Sequence, residues 1–355
     1  MEPHSHGGDA AGWITPVQTR DERPWSYDPA DFGAPVRTDP AWRYSDLDRL
    51  APLFDASGVT GATVADGDFR PEDLVSAIAL QRAVPRRLVA DGRLDVEVRA
   101  DGDAVRAEHL VIEAPEQAVA TVVIEHAGAG ALAENVEILV RPGAELTLVT
   151  LQLWDDGAVH SASHQAVVQR GATLKHVVVT LGGAAVRVNP SIRLEGDGAQ
   201  AQLLGLAFAD AGQHFESQVF LHHVGRHTRG NVTYKGALQG ASARTVWIGD
   251  VLIGPDATGT DTYEQNRNLV LTEGARADSI PNLEIETGEI EGAGHASATG
   301  RFDDEQLFYL RARGIPEAEA RRLVVLGFLA EVIQQIPDAA LQERLTAAVE
   351  RELGR

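Results

Sequence analysis

Cysteine is missing altogether from the 355 residues. That excludes disulfides, a thiolate nucleophile and any all-cysteine metal site within the chain. Basic residues are few beside acidic ones, 31 against 52, for a net charge of −21. Phosphate binding needs a clustered positive field, and the arginines here are dispersed, so nucleic acid and anionic membrane are poor partners. No apolar run reaches the ~18 residues of a membrane span. The opening Met1-Glu-Pro-His4-Ser-His6 has neither the basic nor the apolar segment of a secretory signal, and cytoplasm is the expected compartment. Ser, His and Asp occur without a Gly-x-Ser-x-Gly elbow, which argues against a hydrolase. Gly254-Pro-Asp-Ala-Thr-Gly259-Thr260 has the outline of a P-loop without its lysine, so the chain itself is not expected to bind ATP.

What is present fits a soluble globular protein with a sizeable core: 44% hydrophobic and 23% charged residues. Residues 1–40 are polar and punctuated by proline, and read as a mobile leader in which His4 and His6 carry no role. Residues 41–104 read as mostly helical. Leu47, Leu50 and Phe54 share a short helix face, and Pro71 opens a second helix over 71–84.

From about 105 to 300 the texture is that of strands, such as Ala120-Thr-Val-Val-Ile124 and His176-Val-Val-Val-Thr180. A Gly-Ala unit recurs at Gly143, Gly171, Gly198, Gly240 and Gly274, with spacings of 28, 27, 42 and 34 residues. Short strands with glycine at each corner predict a β-solenoid rather than the competing antiparallel sandwich. At two rungs per unit, about 170 residues give about ten rungs and a rod of roughly 50 Å. Residues 301–355 turn helical: Leu307-Phe-Tyr-Leu-Arg stops at Gly314, and Pro316 opens a helix carrying Leu323, Gly327, Ala330 and Ile333. A third helix follows Asp338, with Leu341, Leu345, Val349 and Leu353 on one face. This tail is placed on the end of the rod, on a partner, or on both.

Two histidine groups are candidate ligands. His222, His223 and His227 lie within six residues, but neighbours on a strand point to opposite faces, so packing along a rung is the simpler reading. His295 stands apart between Gly294 and Ala296, with Gly292 and Gly300 nearby. Small neighbours leave its imidazole approachable, and neutral imidazole suits iron and zinc. A turn histidine bonded to a backbone carbonyl is the plainer alternative.

The segment from His223 to about Pro337 resembles the SufB/SufD family of the SUF iron–sulfur cluster assembly machine. The residues that carry the likeness are His223-x3-His227-Thr, Tyr234-Lys-Gly236, Gly240-Ala-Ser-Ala-Arg244, Asn268-Leu-Val-Leu271, Ala277-Asp-Ser-Ile-Pro281-Asn-Leu-Glu-Ile285, His295, Asp303-Asp-Glu-Gln-Leu-Phe-Tyr-Leu-Arg-Ala-Arg-Gly-Ile315 and Gly327-Phe328. Trp42-Arg43-Tyr44-Ser45 looks like the family's entry segment. The resemblance implies a right-handed parallel β-helix flanked by N- and C-terminal helical regions. It implies a non-enzymatic scaffold that pairs with SufB and docks the ABC ATPase SufC through its C-terminal helices. The lack of cysteine, where the SufB type carries one before the region of Pro281, favours the SufD type, which would share a transient iron–sulfur cluster with SufB through His295. Around that residue the family commonly reads Cys-Ser-His-Gly-Ala-Thr, and this chain has Ala293-Gly-His295-Ala-Ser-Ala-Thr299. The expected SufC contacts are Leu307, Phe308, Tyr309, Leu310, Arg311, Gly314, Ile315, Gly327 and Phe328. A homodimer is compatible with the family's pairing mode. The alternative from another class is a stand-alone β-helix enzyme acting on polysaccharide, by analogy of fold alone.

Overall fold

The computed structural model of the chain describes residues 24–59, 69–301 and 304–354, without the side chains of 304–307. Residues 1–23 of the expected leader, with His4 and His6, lie outside the described residues.

Two short helices come first, α1 (Leu47–Leu50) and α2 (Leu74–Arg82). Sixteen strands follow. The first eight are β1 (Arg86–Val89), β2 (Gly92–Arg99), β3 (Arg106–Ala114), β4 (Val119–Ala127), β5 (Ala131–Val140), β6 (Glu145–Gln152), β7 (Val159–Val168) and β8 (Thr173–Thr180). The second eight are β9 (Ala185–Leu194), β10 (Gln200–Ala209), β11 (His214–His223), β12 (Arg229–Leu238), β13 (Arg244–Ile253), β14 (Asp261–Val270), β15 (Arg276–Ile285) and β16 (Gly292–Arg301). Three helices close the chain: α3 (Asp304–Ala312), α4 (Glu317–Ile333) and α5 (Ala339–Leu353).

Odd strands form one eight-stranded sheet and even strands the other, each in chain order. Every described pairing is parallel, as between β10 and β12 or β13 and β15. The molecule is therefore a parallel β-solenoid of eight coils, each coil giving one strand to each sheet. Alternate side chains point into the lumen, where Ile112, Leu148, Ile192 and Leu203 are fully buried. Each such side chain contributes about 1.5–3 kcal/mol of transfer free energy.

The Gly-Ala unit sits at the corners. Gly143, Gly171 and Gly198 take φ of 69°, 63° and 71°, and the alanine after each is fully buried beneath the turn. Gly143, Gly171 and Gly198 precede β6, β8 and β10, one coil apart, and Gly240 and Gly274 precede β13 and β15 of the other sheet, again one coil apart. Both strands of a coil lie at the same height, so the rise per unit is one strand spacing rather than two, and eight coils stack to about 35 Å, not 50 Å. The strands also begin at Arg86, before the expected boundary near 105. Leu94, Val96 and Val98 alternate there with Arg93, Asp95, Glu97 and Arg99, which is the pattern of a strand with one wet face.

The flanking regions cover the two sheets from outside. Trp42, Leu50, Leu53, Val75 and Ala79 pack with Ala133 and Ala185 on the odd-numbered sheet. Asp73 caps α2 and also pairs with the buried Arg187 of β9, at 2.6 Å. The Arg187 guanidinium reaches Glu216 of β11 (3.3 Å) and the Ala41 carbonyl (3.1 Å), and stacks on Trp42. On the even-numbered sheet, Val149, Val177, Leu204 and Phe208 receive Val325, Leu329, Ile333, Leu341, Leu345 and Val349 of α4 and α5. The tail thus packs along the side of the rod, not on its end. Leu323 and Gly327, expected on the apolar face of α4, are exposed, and Val325 and Leu329 take their place. No helix among the described residues is long and apolar enough to cross a membrane.

Candidate functional site

The last coil leaves the end of the lumen open. β15 pairs with β13 and β16 with β14, and each is the terminal strand of its sheet. On β14 the inward residues are Thr262, Glu264, Asn266 and Asn268, all buried. His295 lies opposite Glu264 in the register of β16, so both side chains belong to the inner face. Two residues on, the Ser297 hydroxyl meets that of Ser279 on the other sheet at 2.9 Å. His295 is exposed because, among the described residues, no further coil stacks above it. The structure thus places it in a strand at the mouth of the lumen, not in a turn.

Beneath His295 the lumen is polar. Burial, reinforced by the Asp250 charge, pushes the Glu264 carboxyl up to about 8. Both of its oxygens lack a hydrogen-bond partner, as do Tyr234 Oη and Trp247 Nε1. A cavity of about 30 Å³, room for roughly one water, is lined by Tyr234, Thr245, Trp247, Asn266 and Asn268 among others. The chain can therefore present an imidazole at its open end, backed by a buried carboxyl and several hydroxyl and amide groups.

The other histidine candidates do not converge. His223 is buried with Nδ1 2.8 Å from Thr228 Oγ1, and burial, with help from His222, pushes it down to about 3. His222 lies on the opposite face of β11, and His227 sits in a turn with φ of 54°.

The expected partner contacts fall into two groups. Phe308 and Tyr309 of α3 are 74% and 56% exposed, with Leu310 and Ile315 half-buried and Arg311 and Gly314 exposed beside them. The Leu307 side chain lies outside the described residues. Phe328 instead faces the rod: it packs against the α4–α5 core, and its carbonyl accepts a hydrogen bond from Lys235 Nζ at 3.0 Å. Lys235 also pairs with Glu331 and lies 4.6 Å from the Phe328 ring. Phe328 is half-buried against the chain's own core, and Gly327 beside it is exposed.

One cluster escaped the sequence reading. Glu134 on β5, His126 on β4 and His160 on β7 offer ligand atoms within 4.8 Å of one another, all fully buried inside the lumen. Burial alone would raise the Glu134 carboxyl, but the charge and hydrogen bonding of His126, with His160 and His164, hold it well below the usual carboxylate range. Burial pushes His160 down to about 4. A readable signal existed: Glu134 interrupts the inward apolar row of Leu132, Val136, Ile138 and Val140, and His160 and His164 share one face of β7.

The chain is similar to known proteins over most of its length. The domain described as SUF system FeS cluster assembly, SufBD core domain, matches residues 97–328. An iron–sulfur cluster assembly SufBD family protein of Mycobacterium tuberculosis is 49% identical over 363 residues, covering 92% of this chain and 91% of that protein. One from Mycobacterium leprae is 48% identical over 364 residues, covering 92% and 93%. A further SufBD family protein of Mycobacterium leprae is 29% identical over 202 residues, covering 57% of this chain and 23% of that protein.

Proposed function

The chain belongs to the SufBD family of SUF-system iron–sulfur cluster assembly proteins, and from that membership we propose that it is the SufD-type scaffold subunit of a cytoplasmic SufBCD complex. It pairs with a cysteine-bearing SufB, carries the ATPase SufC on its C-terminal helices, and lends His295 to a transient cluster formed between the two β-helices.

The observation that carries this reading is the combination of no cysteine with an exposed imidazole at the open end of the solenoid. A chain without thiolate cannot take up a persulfide, so sulfur has to come from another subunit. Mixed histidine and cysteine ligation occurs in other clusters. The edges of β15 and β16, unpaired among the described residues, support pairing with another chain, because bare edge strands are templates for one. Mycobacterium leprae has two unlike proteins bearing the family name, which fits a two-member assembly. The exposed Phe308 and Tyr309 support α3 as the ATPase contact. The family supports assembly over polysaccharide chemistry.

The test is the reconstituted complex with His295→Ala. Cluster yield, read by visible absorption and bound iron, falls at least tenfold while the subunits still co-purify. Undiminished yield removes the ligand role.

A further inference from the structure

The buried cluster in coils two to four is built for more than packing. Glu134 Oε2 lies 2.9 Å from His126 Nε2, 3.2 Å from His160 Nε2 and 3.8 Å from His164 Nε2. All four side chains are fully buried. Among the described residues these three imidazoles are the only ionic partners of Glu134.

The far side of each ring fixes its proton. His126 Nδ1 faces the Leu151 carbonyl at 3.3 Å, and a carbonyl only accepts, so Nδ1 carries the hydrogen. His160 Nδ1 faces Gln152 Oε1 at 2.9 Å. The amide of Gln152 cannot be turned over: its Nε2 donates to Thr150 Oγ1 at 2.7 Å, and its Oε1 accepts from Trp154 Nε1, which is a donor only, at 3.1 Å. His160 Nδ1 therefore also carries the hydrogen. In their neutral forms both rings turn an Nε2 lone pair toward a carboxylate, which has no hydrogen to offer. His164 Nε2, aimed at the same oxygen, has no hydrogen-bond partner at all. Two ring nitrogens and the carboxylate converge within 4.8 Å of one another, and a third ring nitrogen approaches the same oxygen. A single proton reconciles one nitrogen with the oxygen, whereas a metal ion reconciles all three groups.

We propose that His126, Glu134 and His160 are the protein ligands of a site for one divalent transition-metal ion, of which zinc fits best, inside the solenoid, with His164 Nε2 beside it at 3.8 Å from Glu134 Oε2. Tetrahedral zinc with bonds of about 2.0–2.1 Å sets its ligand atoms roughly 3.3–3.4 Å apart, and Glu134 Oε2 stands close to that from the two imidazoles, at 2.9 and 3.2 Å. Two imidazoles and a carboxylate suit zinc, and also cobalt as a probe. The outer partners are those such sites require: Leu151 and Gln152 orient His126 and His160, while His176 Nε2 lies 3.0 Å from His164 Nδ1. The ligands come from both sheets and three successive coils, so the ion would pin the first half of the rod. The site is separate from His295, which lies on the last strand.

The experiment is metal analysis of the full chain produced in zinc- or cobalt-supplemented medium. The expected result is about one ion per chain, with the intense visible bands of tetrahedral cobalt. Glu134→Gln and the double variant His126→Gln/His160→Gln lower occupancy at least tenfold, Gln152→Leu weakens retention against a chelator about tenfold, and His295→Ala leaves occupancy unchanged. X-ray absorption of the wild-type zinc form needs no variant to fold: a four-coordinate shell with imidazole scattering supports the site. A wild-type chain without metal, an oxygen-only shell, or full occupancy in the double variant overturns it. Loss of metal in His295→Ala alone would also overturn it, by assigning the ion to the lumen mouth.

Discussion

Glu264 shows how one side chain can make a rigid fold sensitive to pH. Its carboxyl stands at about 8 in the folded chain against an ordinary value of 4.5, because burial and the Asp250 charge disfavour the anion. The folded state thus binds its proton more tightly than the unfolded state. The stability this gives is full below pH 4.5 and is lost as pH rises toward 8, by at most about 1.4 kcal/mol per pH unit. Glu264→Gln keeps the shape and removes the titration. Denaturant unfolding of that variant should be flatter between pH 5 and 8 and should exceed the wild type in stability at pH 8. A wild-type stability that rises over this range would show that the carboxylate is ionised in the folded chain. The neighbourhood of Glu264 was not legible from sequence. Thr262, Glu264, Asn266 and Asn268 alternate with Tyr263, Gln265 and Arg267, and with polar residues on both faces the pattern does not say which one is buried.

Two elements hold the outer layers, and each fails in its own way. The N-terminal layer hangs on Asp73, Arg187 and Glu216. Burial alone would raise Glu216, but the His214 imidazole (3.7 Å) and the Arg187 charge bring it down to about 2. Asp73 is lowered as well, burial being outweighed by Arg187. Both folded values lie below the unfolded ones, so their stabilisation is present above pH 4.5 and is lost as pH falls toward 2. Hydrogen exchange should show α2 losing protection in that window before the solenoid strands do. Arg187→Ala should cost about 3–5 kcal/mol at neutral pH, since it strands two buried carboxylates. In the C-terminal layer, Leu329→Ala should cost about 2–5 kcal/mol. Phe308→Ala/Tyr309→Ala should change stability by less than about 0.5 kcal/mol yet abolish co-purification with the ATPase. Retained co-purification would move the docking site off α3. The amphipathic face of α5 was readable because Leu341, Leu345 and Val349 recur at helical spacing. That of α4 was misplaced by a fraction of a turn, because apolar residues surround much of that helix and periodicity then selects no face.

At the scale of the whole molecule, the solenoid is closed along its sides and open at its last coil. The helical layers cover the outer faces of the two sheets. The edges of β15 and β16 are ten residues long and carry neither helix nor further strand among the described residues. The coil repeat was legible because its glycines need a left-handed backbone, but the number of coils was not, since sequence spacing does not tell whether a unit rises by one strand or two. An edge of this length is a template for another chain, and in the proposed reading that chain also brings the thiolates that His295 lacks. The two demands coincide: pairing which completes the sheets also completes the ligand set. Blunting the edge should therefore remove both at once. Ala296→Lys/Ala298→Lys places two charges on β16 beside the joint. By light scattering the variant should remain a monomer with a full complement of folded strands. It should fail to pair with the cysteine-bearing subunit and form no cluster although His295 is intact. Normal pairing by the variant would place the interface away from this end of the rod.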